Sequence, residues 1–299
     1  MELVKLVARD GLELSAAVFP ADDPKALVQV IHGAREHKER YYAFCRFLNE
    51  QGYAVIVSDN RGHGESVNGD YPLGYMDGFE PIVEDQRLVT HHIRSLYPGK
   101  KLVLFGHSLG SVFARIYLQE HDADIHKLIL SGTVPYVPGV GFGVILARLL
   151  ILIYGKRKVI RFMHHLALRK DDFWISKNRD NLENYRKDPR CQFLYPIQSV
   201  LTIFLADREL HRLGKYRCEN PELPILSVSG SEDPVTGGAK GLRSTVRSLQ
   251  RIGYRNVANT VYPGMKHEVL NEDNREIVYR DILAFLEQER GAESEADGG

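Results

Sequence analysis

The chain has no surplus of charge: 39 acidic and 39 basic residues cancel over its 299 positions. No overall field therefore argues for nucleic acid or for a strongly charged substrate, and any electrostatic steering has to be local. Cysteine is scarce. Cys45, Cys191 and Cys218 are an odd number, widely spaced, without the paired pattern of a zinc site or a disulfide framework. All three read as free thiols, and no metal ligand set is expected. The first residues, Met1 to Val7, include Glu2 and Lys5 and lack the apolar stretch of a secretory signal. A cytoplasmic protein is the expectation.

A long hydrophobic run is also missing. Val134 to Tyr154 comes nearest, but Pro135, Pro138 and three glycines interrupt it and Arg148 would sit inside the bilayer, so it reads as a buried or interfacial helix. From Ser131 to Lys170 there is not one aspartate or glutamate, whereas Arg148, Lys156, Arg157, Lys158, Arg161, Arg169 and Lys170 are all present. A segment so apolar and basic suits peripheral contact with an anionic membrane surface. The plainer alternative is a helical cap that covers a pocket and leaves its charges solvated.

What is present is ample apolar material, 43% of the residues, enough for a full-sized core. The first twenty residues alternate as two short strands around Asp10-Gly11, with Leu12, Leu14 and Ala16 on one face. Continuous apolar runs follow at Leu27 to Ile31, Ala54 to Val57, Leu102 to Phe105, Leu128 to Leu130 and Ile225 to Val228, as in strands buried on both faces of a parallel sheet. Helical spacings lie between them: Phe79, Ile82, Val89, Ile93 and Leu96, then Leu109, Val112, Phe113 and Ile116, and finally Val278, Ile282, Phe285 and Leu286. The alternation predicts an α/β fold, a mostly parallel central sheet with helices on both faces. It breaks after Leu130 for roughly ninety residues. The expected organisation is a core from 1–134 and 223–290, a helical cap (lid) insertion at 135–222, and a disordered acidic tail at 291–299.

The strongest local signal is Gly106-His107-Ser108-Leu109-Gly110 between an apolar run and a helical pattern. A nucleophile elbow turns so sharply from strand to helix that small residues are needed two positions either side of the serine, and the amide after the serine faces the developing oxyanion. Ser108 is the candidate nucleophile and Leu109 one backbone donor. The loop His32 to His37 follows the run at Ile31, and Ala34 would supply the second amide. A hydroxyl needs a base. His91, His92, His121, His164 and His165 lie in helical stretches with solvated or packing roles, whereas His267 follows the strand-like Val261-Tyr262 and precedes the last helix. Asp233, after the run ending at Val228, is the carboxylate to orient it, with Glu232 and Asp207 as fallbacks. His63, in the turn Asp59 to Ser66, is read as a structural residue.

Taken together, these strings resemble the monoacylglycerol lipase and lysophospholipase branch of the α/β-hydrolases. The likeness is carried by His32 to Tyr41, by Gly62 to Ser66, by Gly106 to Gly110 and by Lys266 to Glu272. It implies Ser108, Asp233 and His267 as a catalytic triad, Ala34 and Leu109 as oxyanion donors, and a helical lid from about Pro135 to Glu222 over an acyl pocket. It also implies an ester hydrolase that needs no cofactor and acts on a small-molecule acyl ester such as a monoacylglycerol or lysophospholipid. Two positions depart from the branch: Arg35 and Ser111 stand where glycines are usual. Arg35 is the candidate for binding a charged part of the substrate. An aminopeptidase or amidase on the same scaffold, and a silent binding protein, are the alternatives.

Overall fold

The computed structural model describes residues 1–288; the expected acidic tail at 291–299 lies outside them. The continuous apolar runs become the centre of an eight-stranded sheet in the order β1-β2-β4-β3-β5-β6-β7-β8. The strands are β1 (Glu2–Val7), β2 (Glu13–Phe19), β3 (Leu27–Ile31), β4 (Ala54–Ser58), β5 (Leu102–His107), β6 (Lys127–Ser131), β7 (Ile225–Gly230) and β8 (Val257–Tyr262). β2 pairs antiparallel with β1 and β4, and all other pairings are parallel. Every residue of β3, β4 and β6 is buried, because helices cover both faces and each run has no solvent side.

Helices α2 (Glu80–Leu96), α3 (Leu109–His121) and α9 (Arg275–Glu287) carry the three helical spacings. Ile82, Val89 and Ile93 of α2, Leu109, Val112, Phe113 and Ile116 of α3, and Val278, Ile282 and Leu286 of α9 are buried against the sheet. Each such side chain contributes about 1.5–3 kcal/mol. Leu96, expected on the same face of α2, is half exposed at the helix's last residue. Two further helices, α1 (Tyr42–Glu50) and α8 (Gly238–Ile252), complete the layers. Between β6 and β7 the chain leaves the sheet and forms α4 (Val140–Tyr154), α5 (Arg161–Ala167), α6 (Arg179–Lys187) and α7 (Ile197–Glu209). α4 lies on α7 closely enough that a Cβ at Gly143 would stand 2.8 Å from the Phe204 ring.

The topology fixes where a site can form. β3 and β5 are neighbours, with Ile31 beside Gly106, yet the chain leaves β3 for β4 on one side and β5 for β6 on the other. The crevice at the carboxyl ends of two strands that part in this way is the usual ligand site of open α/β sheets. The loops after Ile31 and after His107 both open there.

Just beyond β4 a buried ion pair is fully matched. Arg61 sends Nε and Nη2 to the two oxygens of Asp85, at 2.6 and 2.7 Å, with both side chains almost inaccessible. Removing one partner leaves a buried charge uncompensated. Arg61→Met is therefore expected to lower unfolding free energy by about 3–5 kcal/mol. Urea denaturation measures it, and a loss below about 1 kcal/mol, the level of an exposed pair, would show the pair to be dispensable.

Candidate active site

Ser108 occupies the turn between β5 and α3 with φ 51° and ψ −120°, left-handed backbone that costs a side-chain-bearing residue of order 1–2 kcal/mol. Hydrogen bonds hold the turn. The Ser108 amide donates to the Ser131 carbonyl at 2.8 Å, and the Ser111 amide to the Ser108 carbonyl at 2.8 Å. The two flanking glycines are sterically required: a Cβ on Gly106 would meet the Gly110 carbonyl at 2.5 Å, and one on Gly110 the Ile31 carbonyl oxygen at 2.3 Å.

His267 comes in from the loop after β8 and Asp233 from the loop after β7. His267 Nδ1 lies 2.8 Å from Asp233 Oδ2, and the other carboxylate oxygen accepts from the Val235 amide at 2.8 Å. With Nδ1 donating to the carboxylate, Nε2 is left as an acceptor, and among the described residues this buried nitrogen has no hydrogen-bond partner. The ring is wedged between His107 and Trp174, at centroid distances of 4.7 and 4.8 Å. Burial alone would depress the His267 imidazole; Asp233, with Glu268 and Glu36 behind it, outweighs burial and holds it above the ordinary value. Burial likewise works to raise Asp233, and the facing His267 ring keeps the carboxyl below its usual range.

Ser108, His267, Leu109, Ala34 and Arg35 all line one cavity of about 400 Å³ whose other walls include Val112, Val134, Val140, Ile203 and Phe204. The oxyanion-loop candidate is drawn against Ser108 by Gly33, where a Cβ would stand 2.9 Å from Ser108 Cβ. The Gly33 amide donates to Glu36 Oε2 at 2.8 Å. Leu109 is the first residue of α3, so its amide has no acceptor inside the helix and sits at the positive end of the dipole.

The remaining candidates fall elsewhere. Glu232 pairs with Lys177 at 2.6 Å, and Asp207 on α7 accepts from the Val137 amide; neither meets His267. His63 bonds the Tyr195 hydroxyl at 2.6 Å and the Arg61 carbonyl, and burial pushes its imidazole down to about 4, so it is a neutral strut between core and insertion. His164 has a similar place, with Nδ1 accepting from the Tyr195 amide at 3.1 Å. Arg35 adopts φ 56°, the conformation that the usual glycine supplies without strain. Its Nε donates to the Cys191 carbonyl at 3.0 Å and its amide to the Tyr195 hydroxyl at 2.9 Å. It lines the cavity and also clamps the insertion.

Three positions carry signals that sequence reading passes over. Gly132, at φ 54°, leaves room for the His267 ring: a Cβ there would lie 2.7 Å from His267 Cε1. Glu36 accepts from Tyr41 Oη at 2.7 Å as well as from Gly33, while Glu268 accepts from Arg40 Nη2 on both oxygens, at 2.6 and 2.8 Å. Burial and Glu268 push the Glu36 carboxyl up; burial acts the same way on Glu268, but Arg40 together with hydrogen bonds from Glu36 and Asn181 outweighs it and holds Glu268 down. Glu36 and Glu268 lie within the quoted motifs at His32 to Tyr41 and Lys266 to Glu272, the one hint they gave.

The geometry has counterparts among known proteins. The family model for serine aminopeptidase, S33, matches residues 22–274. A monoglyceride lipase homolog of monkeypox virus is 40% identical over 275 residues, 90% of each chain. The monoglyceride lipase of Homo sapiens is 26% identical over 303 residues, covering 95% of this chain and 92% of its own. A thermostable carboxyl esterase from Bacillus coagulans, solved with glycerol, superposes with TM-score 0.83 at 25% identity, covering 95% of this chain and 97% of its own. The chain belongs to the serine aminopeptidase S33 family and is a serine hydrolase with the α/β-hydrolase fold.

Proposed function

We propose that this hydrolase cleaves monoacylglycerol- or lysophospholipid-type acyl esters through an acyl-enzyme on Ser108. The observation that carries the reading is the unpaired, buried Nε2 of His267 in the same apolar-walled cavity as Ser108. Nε2 takes the Ser108 proton as Oγ adds to the ester carbonyl, and the amides of Ala34 and Leu109 receive the oxyanion. Each such donor is worth ~3–4 kcal/mol in the transition state. His267 then returns the proton to the leaving alcohol, and a water deprotonated by the same nitrogen releases the fatty acid and restores Ser108. Asp233 keeps the imidazole in the tautomer that leaves Nε2 free.

An amide substrate with a free amino terminus would need a carboxylate to hold its ammonium group. Of the five acidic side chains that line the cavity four are engaged, Glu36 with the Gly33 amide and Tyr41, Asp172 with Arg186, Asp207 with the Val137 amide and Glu268 with Arg40, while the exposed Asp171 gives one oxygen to the Phe173 amide. Val112, Val140, Ile203 and Phe204 favour an acyl chain instead. A panel of monoacylglycerols, lysophospholipids, short aryl esters and aminoacyl amides tests this. Long-chain monoacyl esters are expected to give the highest kcat/KM, and a preference for aminoacyl amides would overturn the reading.

The insertion forms a cap that meets a lipid surface. α4 buries Val140, Val144 and Ala147 inward, while Phe142 is 81% and Leu152 83% exposed beside Ile145, Leu149 and Ile153. Phe162 and Leu166 on α5 continue the patch. Among the described residues no helix is long and apolar enough to cross a membrane. Exposed apolar side chains ringed by the basic residues from Arg148 to Lys170 suit an interfacial, anionic contact. Sedimentation is expected to show salt-sensitive binding to anionic liposomes, reduced by Phe142→Ser with Leu152→Ser; equal, salt-independent binding to neutral and anionic vesicles would contradict it.

A further inference from the structure

A second cavity, of about 470 Å³, shares no lining residue with that of Ser108 and opens between α8 and the segment just after α7. Along α8, Lys240, Arg243, Arg247 and Arg251 recur at spacings of three and four, so they stand on one face and line this groove. The helix has no acidic residue. Among the described residues none of the four cations has an ion-pair partner. Across the groove Arg212 and Lys215 do pair, both with Glu209, so the carboxylate available there is already taken. Like charges one turn apart repel, and the row is left uncompensated.

The inner end of the groove holds a rarer feature. Arg115 of α3 is only 4% exposed and, among the described residues, has no carboxylate within ion-pair distance. Its Nε donates to the Ser111 carbonyl and Nη2 to the Val134 carbonyl, while Nη1 has no hydrogen-bond partner among the described residues. Asp207 acts on it only at a distance, its oxygens being turned to the Val137 amide. Burial accordingly pulls the guanidinium down to about 10. Beside it the Thr245 hydroxyl is buried and unpaired. A buried guanidinium that has carbonyl partners but no compensating anion is costly, and its planar fork matches a phosphate.

We propose that this groove binds a phosphate-bearing small molecule, with one phosphate held by Arg115 and the remaining negative charge by Arg243, Arg247 and Arg251. The ligand carries at least two anionic groups, because the cations are spread along more than two turns of α8. It binds without touching Ser108. Since Arg115 is anchored to Ser111, in the first turn after the nucleophile, occupancy tightens the start of α3.

Inorganic tripolyphosphate, titrated calorimetrically into the full chain across a salt series, is the test. Saturable binding that persists at physiological salt is expected. The double variant Arg243→Ala/Arg247→Ala, on an exposed helix face, should bind at least about tenfold more weakly with ester hydrolysis unchanged. Arg115→Met should lose binding further; should it fail to fold, the exposed double variant still decides. Soluble inositol trisphosphate is compared with phosphatidylcholine vesicles carrying phosphatidylinositol bisphosphate. Preference for one identifies a free or a lipid-borne phosphate, and both support the site. Equal affinity in wild type and double variant, or binding that disappears at physiological salt in every arm, would overturn it.

Discussion

Replacing Ser108 by alanine is expected to lower kcat for ester hydrolysis by about four to six orders of magnitude, and Asp233→Asn by about four. The first change removes the attacking oxygen. The second keeps the shape of the site but can present an amide NH to His267 Nδ1, now 2.8 Å from a carboxylate oxygen, and so turns the proton onto the wrong ring nitrogen. Neither substitution empties much volume, so circular dichroism and thermal midpoint should stay near wild type. Initial rates on a soluble short-chain ester measure the loss, and residual activity within tenfold of wild type in Ser108→Ala would exclude Ser108 as nucleophile. Ester turnover in the wild type also separates this account from a silent binding protein.

Gly132→Ala carries the second largest expected effect, and it arises without touching a chemical group. The new methyl would stand 2.7 Å from His267 Cε1 and 2.9 Å from Nδ1, in a backbone at φ 54°. The Val228 carbonyl accepts the Gly132 amide at 3.0 Å, which ties the loop to β7 and limits its retreat. The imidazole has to give way. A displacement of roughly 1 Å at a catalytic base costs on the order of a hundredfold in kcat. Gly99→Ala is the control, since Gly99 has a similar φ of 78° but open space around it; it bears the conformational strain, about 1 kcal/mol, without the clash. A Gly132→Ala enzyme with wild-type kcat would show that His267 does not need the position in which it is found.

The fold was legible where burial is two-sided. β3, β4, β5, β6 and β7 each read as a nearly continuous apolar run, broken only by Gln29 and Ser227, because neither face meets water. β8 did not: at the sheet edge only Tyr262 is fully buried, and just Val261-Tyr262 looked strand-like. α8 escaped notice for a related reason, since Leu242 and Leu249 are its only buried large apolar residues. For the candidate site, chain order did most of the work. Ser108, Asp233 and His267 each follow a strand, and the structure brings the last two into contact across 34 residues. Gly132, Glu268 and Tyr195 act through contacts between segments far apart in sequence, such as Tyr195 to His63 across 132 residues and Glu268 to Arg40 across 228. No local spacing encodes those contacts, and they emerge only once the sheet has set the loops side by side. Arg35 shows the converse. Its guanidinium looked free for a substrate, and the fold gives its Nε to a carbonyl of the insertion.

The most direct test of the central claim is intact-mass and peptide-mapping analysis after exposure of the full chain to a fluorophosphonate. The account predicts one adduct per chain, located on Ser108, absent from Ser108→Ala and strongly slowed in His267→Ala. A wild-type chain that stays unlabelled and turns over no ester, or one that carries its adduct on another residue, would contradict it.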